Sequence, residues 1–311
     1  MPISQLLSLS ARLSLGTPQA FRNLVVVPLL DPAASPTGWL TLGQALGRGL
    51  AEVSEISEQG SVPQLKLLNR ARESLFLLDG EELVGAKQNR ILNLSLLAPA
   101  GAVLDIPVSC VEQGRWSWRS RGFEDSERVI FSKLRARNSD SVSSSWALER
   151  SARGDQGRVW DDISLKSVRM SVHSDTSAAG ALYERYSSDL EGFVTGIEAQ
   201  PGQVGAAFLV NGRFAGLDVF GGPDLLAGLL PRLVRSYALD AIEEAPSAAD
   251  PGQPADAVRS ALRQVTDLEV DRGLPVGLGE SLRLRGSALA GSSMIAAGGL
   301  AHLSLWSLDW R

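Results

Sequence analysis

The stretch from Leu77 to Trp116, LLDGEELVGAKQNRILNLSLLAPAGAVLDIPVSCVEQGRW, constrains the fold more than any other part of the chain. Turn glycines and charged residues interrupt β-type apolar runs there. Asp79-Gly80 predicts a hairpin between residues 74–78 and 83–84. Residues 91–97 alternate with the small polar Asn93 and Ser95, as a half-buried strand does. Pro99-Ala100-Gly101 marks a turn, and residues 103–108 a further strand. Pro107 within it has no N–H for the ladder and is expected at an edge or a bulge. The stretch therefore reads as a small antiparallel meander. Its connections carry Glu81, Glu82, Lys87, Gln88, Asn89 and Arg90 on one side and Cys110, Glu112 and Arg115 on the other.

A chain of 311 residues is long enough for one large domain or two modest ones. A net charge of -5 excludes a nucleic-acid binder that works by bulk electrostatics, though it leaves a local basic patch open. Only four of the 30 basic residues are lysines, so Lys87 stands out where the arginines do not. A single cysteine excludes an intramolecular disulfide and a cysteine-clustered zinc site, and two histidines exclude a histidine-rich metal site. A carboxylate site for magnesium or manganese stays open, but no metal ligand is assigned and no cofactor is implied by the residues. No window has the roughly 18 apolar residues of a membrane span. The first residues read as a short amphipathic segment rather than a signal peptide, so a cytoplasmic protein is expected. Oligomeric state is not legible.

In chain order, residues 24–30 read as a buried strand, and Thr41 as the N-cap of a helix to about residue 50. Strands are expected at 52–56 and 65–69. Residues 119–153 are rich in Ser and Arg, and read either as a mobile loop or as a helix docking only at Trp146. Two helices are expected over 159–190, the second capped by Thr176, followed by a strand at 193–197. Asn211-Gly212 predicts a hairpin between 205–210 and 214–220. Gly221-Gly222-Pro223-Asp224 opens a long helix over 225–242, kinked or broken at Pro231. A linker at 244–255, a surface helix at 255–266 and three short strands, near 281–285, 288–290 or 294–296, and 301–305, close the chain. The class is α+β: antiparallel β-meander and hairpin groups with helices between and after them. Three stretches, 1–118, 119–204 and 205–311, are expected to form one compact unit. The two Xaa-Gly turns echo each other, either as a duplicated β unit or because hairpins resemble one another.

The segments LLDGEELVGAKQNRILN and IPVSCVEQGRW resemble the paired signature of a prokaryotic family named for its association with ADP-ribosylglycohydrolases and rhodanese-type phosphatases. VNGRFAGLDVFGGPDLL, LVRSYALDAI and the ending around His302 resemble that family as well. The resemblance covers most of residues 22–116 and 205–306. It implies a domain working in nucleotide, NAD or ADP-ribose metabolism or in RNA repair. The site it implies comprises Glu81, Glu82, Lys87, Gln88, Arg90, Cys110, Glu112, Arg115 and Trp116, with Asp218 from the second half.

In that site Glu81, Glu112 and Asp218 would act as acid or base. Glu82, Lys87, Gln88, Arg90, Arg115 and Trp116 would hold a small anionic ligand. Each residue has a plainer reading. Cys110 follows an apolar run without a nearby base, which favours a buried inert thiol. Glu81 and Glu82 are adjacent and face opposite sides of a strand, so one is expected in solvent. Lys87 and Arg90 are expected to be accessible, either as an anion-binding edge beside Glu81, Glu82 or Glu112, or as a surface turn paired with Glu81 or Glu82. Three residues apart, they converge only where residues 86–89 are irregular. Glu112 and Arg115 read as an ion pair holding Trp116 or as catalytic groups, and Asp218 as a helix cap or a metal ligand. His302 reads as a hydrogen-bonded core histidine. No GxGxxG, P-loop or Ser-His-Asp pattern is present. Two classes remain: an enzyme-like domain for a nucleotide-type anion, and a non-catalytic binding or assembly module whose polar signature is structural.

Overall fold

The computed structural model describes residues 8, 12–246, 253–273 and 276–310. The fold is α+β, with antiparallel sheets and helices between them. The chain divides into two compact units that cut across the three sequence stretches. One comprises Met1–Gly38, Ser188–Gly273 and Gly279–Arg311, the other Trp39–Ser187 and Leu274–Leu278.

The first unit is built on a nine-stranded antiparallel sheet. Its order is Ser14–Leu15, Leu24–Leu30, Gln203–Val210, Arg213–Phe220, Gly299–Ser307, Leu289–Ala296, Glu280–Arg285 and Glu269–Gly273, with Gln19–Phe21 also paired to Leu24–Leu30. Asn211 and Gly212 both have positive φ, 50° and 75°, as a two-residue turn matching the strand twist requires. Every residue of Gln203–Val210 is buried, because a helix packs on each face. On one face Tyr237 of the helix Pro223–Glu243 stacks on Phe208 at 4.0 Å. On the other, Val258 and Leu262 of Pro254–Gln264 join Ala207 and Leu209. The long helix runs unbroken through Pro231. The expected strand at 193–197 is instead the end of the helix Ser187–Thr195, whose Leu190 and Phe193 are buried one turn apart. A five-residue apolar window fits either period, and helical burial decides it. Among the described residues four strands close the chain rather than three, and 289–290 and 294–296 belong to one of them. Residues 247–252 of the expected linker, and most of the N-terminal segment, lie outside the described residues.

The second unit holds a six-stranded sheet in the order Phe123–Val129, Glu81–Gly85, Arg90–Leu92, Val103–Cys110, Gln64–Asn69 and Ala51–Glu55. A three-stranded sheet, Leu96–Ala98, Leu75–Leu77 and Leu40–Thr41, adjoins it in sequence, its last pair parallel. The simple meander is therefore corrected. Asp79-Gly80 forms a turn, with the Glu81 N–H donating to the Leu78 carbonyl at 3.2 Å, but it links strands of different sheets. Only Gly80 has positive φ, 81°, and a turn of that kind splays its flanking strands instead of pairing them. Asp79-Gly80 and Asn211-Gly212 are thus different structures. Residues 91–97 likewise split between the two sheets and are wholly buried. Asn93 and Ser95 tolerate this because they bond to the Ala152 carbonyl and to Asp79.

Pro107 lies in an interior strand, neither at an edge nor in a bulge. Residues 103–107 pair with 64–68, while Val108, Ser109 and Cys110 pair with Leu92, Ile91 and Arg90. The missing N–H falls where the strand changes partners. Thr41 caps the helix Leu42–Gly47 with a complete capping box. Residues 119–153 form the strand Phe123–Val129 and the helix Ser132–Glu149, which docks along its length through Leu134, Arg135, Asn138, Val142 and Trp146 rather than at Trp146 alone. Its buried face mixes polar with apolar side chains, so the sequence shows no amphipathic stripe. Asp155 caps the next helix, Gln156–Arg169, which starts ahead of the expected residue 159. Thr176 caps none: the following helix is Gly180–Arg185.

Candidate functional site

The strand Glu81–Gly85 ends because Gly85 adopts φ +134° and Ala86 φ +38°. A Cβ on Gly85 would lie 2.5 Å from the Gly122 carbonyl oxygen, so only glycine fits there. Residues 86–89 are consequently irregular, and Lys87 and Arg90 turn to the same side. Their cationic groups lie 5.4 and 5.7 Å from the Trp116 ring centre, and the Lys87 ammonium lies 5.1 Å from that of Trp118.

Arg115 fixes this turn from behind. Its guanidinium donates to the carbonyls of Ala86 at 2.7 Å and Gly85 at 3.2 Å, and to Asn89 Oδ1 at 3.1 Å. Glu112 Oε2 accepts from Arg115 at 2.6 Å and from the Asn89 N–H at 3.2 Å, and Oε1 accepts from the Thr176 hydroxyl at 2.8 Å. Burial pushes the Glu112 carboxyl upward, but the hydrogen bonds from Arg115, Thr176 and Asn89 outweigh it, and the net shift is downward. Glu112 and Arg115 thus form the ion pair that shapes the Lys87 turn.

Lys87 and Arg90 are not accessible as expected. Lys87 is 8% exposed and Arg90 fully buried, while the two indoles roofing them are about half exposed, Trp116 48% and Trp118 50%. Among the described residues the Lys87 ammonium has no carboxylate partner. Arg90 Nη1 donates to Gln88 Oε1 at 2.9 Å, and Nη2 lies 3.7 Å from Glu55 Oε1. Arg90 Nε and Nη2 and both Glu55 carboxylate oxygens have no hydrogen-bond partner. Gly60 sits where these groups meet: a Cβ on it would be 3.2 Å from Lys87 Cδ, 3.3 Å from Trp116 Cζ2 and 3.5 Å from Glu55 Oε2.

A cavity of about 890 Å³ opens beside this cluster. Ser54, Glu55, Ser57 and Glu58 line it from one segment, and Trp118, Arg119, Ser120 and Arg121 from another. The carboxylate next to Lys87 and Arg90 is therefore Glu55, not Glu81, Glu82 or Glu112. Reading the sequence by charged turns misses Glu55, Trp118, Arg119 and Arg121. A signal for each exists. Ala51, Val53 and Glu55 alternate inward along one strand, and Trp116-Ser-Trp-Arg-Ser-Arg121 interleaves aromatic with basic residues.

The remaining residues lie apart from the cavity. Glu81 Oε2 accepts the Leu78 N–H at 2.8 Å and closes the Asp79-Gly80 turn. Neither Glu81 nor Glu82 is in solvent, as one of them was expected to be. Burial raises the Glu82 carboxyl to about 7, although Arg128, 3.8 Å away, opposes the shift. Asp218 belongs to the other unit, where its Oδ1 is 3.0 Å from His302 Nε2 within the sheet. It caps no helix, and no group of three His, Cys, Asp or Glu that could hold a metal occurs among the described residues. Nor is any helix there long and apolar enough to cross a membrane.

Cys110 is fully buried, and burial pushes its thiol up to about 11. Its backbone bonds at both ends to the Gln156 amide, at 2.7 and 2.8 Å. At pH 8 only about one thiol in a thousand is then ionised. A mild disulfide reagent is expected to leave the folded protein unlabelled over the time in which the urea-unfolded chain reacts fully. Labelling of both at similar rates would show the thiol to be reachable.

Comparison with curated proteins gave no match, and comparison with solved structures gave none. The sequence profile of the ARG and Rhodanese-Phosphatase-superfamily-associated Protein domain, ARPP-1, matches residues 12–306, and the chain belongs to that family.

Proposed function

We propose that the protein binds and processes a nucleotide-type anion, such as a nucleotide, NAD or ADP-ribose, in the cavity beside Trp118. The observation that carries this reading is the Lys87 ammonium, held against two half-exposed indoles and, among the described residues, joined in no ion pair, with Glu55 nearby but turned to Arg90. A cation left without a counter-ion in a cleft is ready for an anionic ligand. Exposed indole faces offer a stacking surface for a base. Arg119 and Arg121 line the same cavity, have no ion pair among the described residues, and supply further phosphate contacts. Binding without catalysis is the second reading. It is favoured by the hydrogen bonds that hold Glu81 and Glu112 in the turns they shape.

Calorimetric titration of ADP-ribose, NAD and AMP tests the proposal. Lys87→Met keeps the aliphatic stem and removes only the charge. It is expected to weaken binding by roughly 1.5–3 kcal/mol, the usual worth of a charge-assisted hydrogen bond, with melting nearly unchanged. Absence of binding to the wild type would refute the reading, as would unaltered affinity in the variant.

A further inference from the structure

We propose that Glu55 and Arg90 form the part of the cavity site that reads neighbouring hydroxyl groups, making a vicinal diol of the ribose kind the feature the ligand must carry. This rests on the nucleotide-anion reading of the same cavity. Glu55 and Arg90 face each other as a carboxylate and a guanidinium but are not joined as such pairs normally are. A guanidinium–carboxylate pair usually closes to about 2.7–2.9 Å with two parallel hydrogen bonds. Here the nearest atoms stand 3.7 Å apart. Both carboxylate oxygens, and Nε and Nη2 of the guanidinium, are buried without any hydrogen-bond partner. Native interiors rarely leave four such atoms unmet in one place, and where they do a missing partner is the usual cause.

The partner must accept from a guanidinium and donate to a carboxylate. A hydroxyl group does both, and a phosphate, which only accepts, does not. A hydroxyl oxygen about 2.8 Å from each group spans a 3.7 Å separation, and because these atoms are closed to solvent the Trp116 ring over Arg90 must shift to admit it from the cavity. Two oxygens on one side and two N–H donors on the other accommodate two such hydroxyls together.

The placement suits a nucleotide. Glu55 lines the cavity, Gly60 brings no side chain over Glu55 Oε2, and Lys87 meets Glu55 at that same glycine. A sugar there has its diol toward Glu55 and Arg90, and its phosphate toward Lys87. Gln88 Oε1, bonded to Arg90 Nη1, holds the guanidinium in this orientation.

Titration of the wild type with AMP, 2′-deoxy-AMP and 2′,3′-dideoxy-AMP tests the assignment without any change to the protein. Each lost hydroxyl is expected to weaken binding about tenfold or more, because it strands a buried charged group. Glu55→Gln, checked by thermal melting, is expected to shrink that discrimination to less than about threefold per hydroxyl while phosphate binding persists. Equal affinity of AMP and its dideoxy analogue for the wild type would overturn the diol reading and leave the anion site standing. Failure of all three to bind would overturn both.

Discussion

An Arg135→Ala variant is expected to lose about 3–5 kcal/mol of folding free energy, measured by urea unfolding, because it leaves a buried carboxylate without its partner. Arg135 reaches from the helix Ser132–Glu149 into the Asp79-Gly80 turn. Its Nε donates to Asp79 Oδ2 and to the Asp79 carbonyl, each at 3.0 Å, and Nη2 donates to Oδ1 at 2.9 Å. The two side chains are 1% and 6% exposed. The Ser95 hydroxyl completes the cage, donating to Oδ1 at 2.7 Å. Gly80 makes the approach possible, since a Cβ there would lie 3.1 Å from both Cγ and Cδ of Arg135. This helix has no continuous apolar stripe, so the ion pair adds to the docking that Leu134, Val142 and Trp146 supply. A double variant, Asp79→Ala with Arg135→Met, removes both charges and is expected to recover much of the loss. A loss below about 1 kcal/mol in Arg135→Ala would mean that water reaches Asp79 and that the pair does not anchor the helix.

Most of what the sequence made legible was local. Thr41 caps its helix, Asn211-Gly212 turns its hairpin and residues 24–30 form a strand, since each signal lies within a few residues of the structure it sets. Asp79-Gly80 failed as a hairpin because the same dipeptide serves a turn that pairs strands and one that splays them. The choice was made by distant groups: the Gly80 N–H bonds to the Leu92 carbonyl, and its carbonyl accepts from Ile130. The helix Ser132–Glu149 was hidden for a related reason, since its buried arginine and asparagine look solvent-facing until their partners are known.

The candidate site divides in the same way. Lys87, Arg90 and Trp116 stood out as charge and aromaticity at a turn, and the structure brings them together. Their convergence depends on positive φ at Gly85 and Ala86, imposed by the Gly122 backbone far along the chain. Glu55 enters only through sheet register, and Trp118, Arg119 and Arg121 only through the cavity they line. Glu81 and Glu112 carry the right chemistry for catalysis, but backbone N–H groups and Arg115 occupy them. Asp218 lies in the other unit, where it bonds to His302 of its own sheet.

Glu82 should make the protein less stable as pH rises through neutrality. Its carboxyl is fully buried at the strand Glu81–Gly85, and desolvation raises it from an ordinary 4.5 to about 7. The Arg128 guanidinium, 3.8 Å away, opposes that shift, as Glu112 and Glu184 add to it. Between these two values the folded chain holds a proton at Glu82 that the unfolded chain has released. The stabilisation is therefore fully present below pH 4.5 and is lost as pH climbs through 7, a total of about 3 kcal/mol. Glu112 acts in the opposite sense, since its lowered carboxyl contributes stability above the ordinary carboxylate range that is lost in acid. Subtracting the wild-type pH profile from that of Glu82→Gln isolates the Glu82 contribution. The amide keeps the shape of the protonated acid and cannot ionise. The variant is thus expected to match the wild type near pH 4 and to exceed it by about 3 kcal/mol near pH 8.5. Arg128→Met removes a cation that supports the charged form, so it should raise the Glu82 carboxyl further and carry the loss of stability to higher pH. Parallel profiles for Glu82→Gln and wild type across this range would show that Glu82 is ionised at its ordinary pH and reached by water.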